Sequence, residues 1–159
     1  YRRYREIPGW YDAFKEDTPH TVWASSGNLE SVLDLSKNLE GAYIIKDFVK
    51  SRKHEWYDAC FIYNIQNKNN LEFVARNFIE RQGENLVGGV VLRKYEELKK
   101  TGFHEKSGLP LSLEYRVFIY GGRIISISDY WDAVNKVAIS FEEYQYNHFF
   151  ATSSSLFGS

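Results

Sequence analysis

The chain has no methionine, one cysteine and three prolines in 159 residues, and its formal net charge is only −1. Each shortage removes a class of protein. A single cysteine excludes an internal disulfide framework. Cys60 sits in Ala59-Cys60-Phe61-Ile62 with no histidine beside it, so it reads as a buried, inert thiol. The balanced charge argues against a dedicated nucleic-acid binder, which carries a broad basic excess. No apolar run approaches the roughly 18 residues that a membrane span needs. No signal peptide and no Asn-X-Ser/Thr sequon is visible. These absences fit a reducing, cytoplasmic setting. The missing methionine and the start at Tyr1 are read as marks of a processed chain or of a piece of a longer one.

What is present suits one domain, or one domain and a fragment of another. The hydrophobic share of 43% supports a real core and excludes global disorder. Aromatic residues reach 17%, and Tyr and Trp line clefts as well as cores. The organisation expected is an irregular lead-in over residues 1–27, with a short helix near Trp10–Phe14, followed by one domain over 28–159.

Ser31–Leu39 has a helical spacing of Val32, Leu33, Leu35 and Leu39, closed by Gly41. Ala42–Val49 reads as a buried strand, and Ala59–Ile65 as a second. Asn70–Arg81 is the clearest helix, with Leu71, Val74 and Phe78 on one face and Gly83 after it. Leu86–Leu92 reads as a strand entered through a tight turn at Gly88-Gly89. Leu98–Ser107 reads as a charged loop. Leu113–Tyr120, Gly121-Gly122 and Arg123–Tyr130 form a hairpin pattern. Phe141–Ala151 reads as helical. The fold class is therefore α+β, an antiparallel sheet with packed helices.

Three segments could carry chemistry. In Ile44-Ile45-Lys46-Asp47-Phe48-Val49-Lys50 a lysine interrupts an apolar strand, which is costly unless its ammonium reaches water or an anion. Strand alternation would put Lys46, Phe48 and Lys50 on one face. Such lysines suit phosphate oxygens, or form edge-strand pairs with a local carboxylate. The run Lys50-Ser51-Arg52-Lys53-His54 could close over a polyphosphate, stay a solvated loop, or touch single-stranded RNA beside Trp56 and Tyr57. Glu114, Arg116 and Phe118 share a strand face, either as a surface ion pair or as a polar cleft floor. No P-loop and no Gly-x-Gly-x-x-Gly after a strand occurs, and the four histidines show no paired metal spacing.

Three blocks occur in order: Ile45–Arg52 with Trp56 behind it, Gly88–Arg93 followed by Tyr95, and Glu114–Phe118 with its glycine turn and Tyr130-Trp131. Together, over about residues 18–150, they resemble the R2K clade of the ATP-grasp superfamily. The resemblance implies two small α+β subdomains flanking a nucleotide cleft. It places Lys46 on the ATP phosphates, with Lys50 and Arg52 nearby. It makes Val90–Arg93 a hinge whose main chain, around Val91, meets adenine, with Arg93 reaching phosphate or substrate. Glu114 and Arg116 then lie on the cleft floor. Lys94 stands where similar proteins carry an acid, so Glu96 or Glu97 would have to take the ribose contact.

The resemblance implies an ATP-dependent carboxylate–amine or carboxylate–thiol ligase that works through an acyl phosphate. ATP and Mg2+ are the implied cofactors. The Mg2+ ligands are expected in an acidic block past Ser159, so the chain is read as truncated at its C-terminal side. The alternatives are a nucleotide-binding or interaction module without catalysis, and an RNA module, against which the net charge counts. The carboxylate and amine substrates stay open, and no membrane partner is expected.

Overall fold

The computed structural model describes residues 2–130. The helix expected at Phe141–Ala151 and Trp131 of the third block lie outside the described residues. Two compact units divide after Leu113.

The first unit opens with helices α1 (Arg2–Arg5) and α2 (Ile7–Phe14). Pro8 stands in the first turn of α2, where the missing N–H costs nothing. Strand β1 (Thr21–Ala24) follows. Helix α3 (Leu29–Ser36) is capped by Asn28, whose side chain accepts from the Ser31 amide. Then come β2 (Tyr43–Asp47), α4 (Trp56–Ala59) and the short β3 (Phe61–Ile62). Helix α5 (Lys68–Gln82) is capped by Asn67 and ends at Gly83. Strand β4 (Val90–Lys94) completes a four-stranded antiparallel sheet in the order β1-β4-β2-β3. A separate hairpin pairs β5 (Lys100–Phe103) with β6 (Pro110–Ser112).

One sheet face packs on α3 and α5. Ile45, Ile62, Val90 and Leu92 meet Val32, Leu71, Val74 and Phe78 there. The helical spacing read in 70–81 supplies three of these contacts, which is why that helix is amphipathic. The other face is covered in part by α2, through Ile7 and Tyr11 against Phe48 and Val91. Burying such side chains stabilises by about 1.5–3 kcal/mol each, so both layers matter.

The lead-in expected over residues 1–27 is therefore built into the fold. α2 covers the sheet, and β1 pairs with β4 from Thr21↔Arg93 to Ala24↔Val90. The second expected strand is shorter than predicted, because residues 56–59 coil into α4 before β3 begins. The segment read as a loop over 98–107 contains β5. The tight entry at Gly88-Gly89 is present: a Cβ on Gly89 would lie 2.0 Å from the Ala24 carbonyl oxygen. Only glycine lets β1 approach the start of β4 so closely.

The second unit is described by its hairpin alone, β7 (Tyr115–Tyr120) and β8 (Arg123–Asp129). Gly121 and Gly122 turn it at φ of 55° and 73°, a region that side-chain-bearing residues avoid.

Candidate functional site

Residues directly opposite each other in an antiparallel pair share a face. On β2 and β4, Lys46 stands opposite Val91, and Ile44 opposite Arg93. Trp23 and Thr21 of β1 stand opposite Val91 and Arg93. Phe61 of β3 stands opposite Ile44. The face not covered by α3 and α5 thus carries two rows, Trp23–Val91–Lys46 and Thr21–Arg93–Ile44–Phe61. Two half-buried cations sit diagonally on it.

Among the described residues, no carboxylate ion-pairs with Lys46 or Arg93. The Lys46 ammonium donates to the Val49 carbonyl oxygen at 3.3 Å. Burial and then the Arg93 charge pull its pKa below the ordinary lysine value, with Asp47 acting in the other direction. Burial also lowers the Arg93 pKa. The Arg93 guanidinium donates to the Thr18 hydroxyl and lies 5.9 Å from the centroid of the Trp10 ring. Two partly desolvated cations on one sheet face raise the positive potential there. Beyond Ile44 an aromatic group borders the face. Trp56 stacks on Phe61 with centroids 5.0 Å apart, and Tyr95 meets Phe61 edge-on at 4.9 Å.

Asp47 faces the opposite way and is fully buried. Its carboxylate accepts from the Val49 and Lys50 amides, from the Gln82 side chain at 2.9 Å and from the Val87 amide at 3.2 Å. The chain turns there, so β2 ends at Asp47. Lys50 lies beyond the turn and is exposed. The shared strand face expected for Lys46 and Lys50 is consequently not formed.

Arg52 also differs from its expected setting. Its Nε donates to Glu55 Oε2 at 3.1 Å, and Nη1 donates to the Arg81 carbonyl oxygen at 3.0 Å. Arg81 closes the network on Glu55 Oε2 at 2.6 Å. Hydrogen bonds from Arg52 and Arg81 hold the Glu55 carboxyl down to about 2. This charge is matched inside the protein and ties the basic loop to the end of α5. Lys53, in the same loop, still adds to the positive field that lowers Lys46.

The hinge expected over Val90–Arg93 lies within β4. β4 lies between β1 and β2, so the backbone groups of Val90–Arg93 are committed to two ladders. The Lys94 and Tyr95 amides that follow donate to the His20 and Ala42 carbonyls at 2.8 and 2.9 Å. Val91 contributes a buried side chain opposite Lys46. In the second unit, Arg116 is exposed with its guanidinium 5.1 Å from the Tyr130 ring centroid, and the Glu114 carbonyl accepts from the Tyr130 amide. Cys60 is buried, and burial pushes its thiol up to about 12, as an inert thiol requires.

The structure thus brings Lys46 and Arg93 together, keeps Lys53 of the basic loop in the field at Lys46, and adds Thr18 and Trp10, which the sequence did not single out. Residues opposite across a ladder leave no local signal, and β1 is only four residues long. Among the described residues no group of three or more His, Cys, Asp or Glu is arranged to hold a metal ion. Those residues do not by themselves fit a Mg2+ site, and no step is assigned to one. No helix among them is long and apolar enough to cross a membrane.

The described fold is α+β, with two half-buried cations on the sheet face that does not pack on α3 and α5. The comparison with known families narrows the class: residues 34–151 match the ATP-grasp domain, R2K clade family 3. The chain belongs to this family, an ATP-binding domain of ligase type. No curated protein and no solved structure matches it.

Proposed function

We propose that Lys46 and Arg93 bind the phosphates of ATP, and that the domain serves a carboxylate–amine or carboxylate–thiol ligase. The observation that carries this reading is the half-buried pair of cations on one sheet face, with no ion-paired carboxylate among the described residues. In the reaction, a substrate carboxylate oxygen attacks the γ-phosphorus and ADP leaves. An amine or thiol then attacks the acyl carbon and phosphate leaves. Lys46 and Arg93 offset the charge on the phosphate oxygens and hold the chain in line. Lys53 strengthens the same field, and Lys50 is close enough in sequence to join it. Glu114 and Arg116 remain candidate groups of the second unit for substrate. Mg2+ belongs to the reading through ATP, whose phosphate oxygens bind it.

The test combines the chain with Mg2+–ATP, pools of small carboxylates and hydroxylamine, which traps an acyl phosphate as a hydroxamate. ADP and hydroxamate released together, only when a carboxylate is present, support the ligase. ATP bound without turnover across all pools would leave a binding module and overturn the catalytic half of the proposal.

A further inference from the structure

We infer that Thr18, assisted by Trp10, is a positioning residue that fixes the Arg93 guanidinium for polyphosphate binding. The segment ahead of the family-matched residues 34–151 is then part of the nucleotide site. The inference rests on the ATP reading and extends it to a residue outside the matched region.

Arg52 and Arg93, both in the first unit, are held by different kinds of group. Arg52 is held by a carboxylate, Glu55, and its charge is matched. Arg93 is held by neutral groups: its Nη2 donates to the Thr18 hydroxyl, and the Trp10 ring lies against it. A hydroxyl and an aromatic face restrain a guanidinium without discharging it. Its direction is set while its positive charge stays available for an anion. Preorganised charge of this kind binds more tightly than a charge on a free side chain.

The residues that follow Thr18 are held in place. The His20 carbonyl accepts from the Lys94 amide at 2.8 Å, next to Arg93 on β4. The Thr21 amide donates to the Tyr11 hydroxyl at 3.0 Å, and the Thr21 hydroxyl donates to the Pro19 carbonyl at 2.8 Å. These bonds fasten His20 to β4 and Thr21 to α2. Thr18 therefore stands two residues from a segment tied to both elements.

The experiment measures ATP and tripolyphosphate binding by calorimetry on the 159-residue chain. Thr18→Val keeps the shape and removes the hydroxyl, and Thr18→Ser keeps the hydroxyl. The expected result is a three- to tenfold loss of both ligands in Thr18→Val, at unchanged Tm, with Thr18→Ser within twofold of wild type. In an Arg93→Met background, Thr18→Val should change nothing further, because its effect runs through Arg93. A Thr18→Val chain that binds like wild type, while Arg93→Met loses ATP, would overturn this inference and leave the ATP reading standing. An equal loss in the Arg93→Met background would also overturn it, by showing a merely structural role. A folded wild-type chain that binds neither ligand removes the ATP reading and this inference with it.

Discussion

Lys46 shows the cost of a functional residue in an otherwise apolar strand. Its neighbours Ile45 and Val91 are fully buried, and its own pKa is lowered by burial and by Arg93. A lysine whose folded pKa lies below 10.5 destabilises the fold while it is charged. As pH rises from the lowered value toward 10.5, the folded chain gives up its proton first and wild-type stability rises. Lys46→Met should therefore be more stable than wild type at neutral pH, by about 0.5–1 kcal/mol. That difference should narrow at alkaline pH. Thermal melts of both chains from pH 7 to pH 10 check this. A less stable methionine variant would mean that Lys46 is held by favourable contacts, and is no uncompensated cation. The sequence exposed Lys46, since a lone charge in an apolar run is visible locally. It could not expose the company of Arg93, which depends on the pairing of Ile44 with Arg93 across strands far apart in the chain.

Elements were legible where one local pattern decides them. α5 is long, regularly spaced and bounded by Asn67 and Gly83. The β7–β8 hairpin is announced by its glycine pair. β1 was illegible because four residues between turns carry no period. β5 was missed because most of its residues face water and show no apolar alternation. The basic loop between β2 and α4 was read by its charge, and geometry changed its meaning. Glu55 matches Arg52 and Arg81, and Asp47 fastens the turn through Gln82 and three main-chain amides. The Glu55 carboxyl sits at about 2 in the folded chain against an ordinary 4.5. Its contribution is thus fully present above pH 4.5 and is lost as pH falls toward 2. With solvent screening at this partly exposed site, the loss should be about 1–2 kcal/mol. A Glu55→Gln chain should be less stable at pH 7 and show a shallower acid limb in melts between pH 7 and pH 3. Parallel acid limbs in the two chains would deny the network this role. His54 Nε2 lies 3.2 Å from Glu55 Oε1, at the edge of the same network.

At the scale of the molecule, two units carry the residues that the sequence proposed for one site. The first holds Lys46 and Arg93, and the second holds Glu114 and Arg116. Family membership implies ATP, and the proposal assigns its phosphates to the face that carries Lys46 and Arg93. The most direct measurement is a calorimetric titration of ATP against the wild-type chain and against Lys46→Met. The account predicts saturable binding to wild type and at least tenfold weaker binding to the variant, although the variant is the more stable protein. A folded wild-type chain that takes up no ATP, or a methionine variant that binds it equally well, would contradict the account.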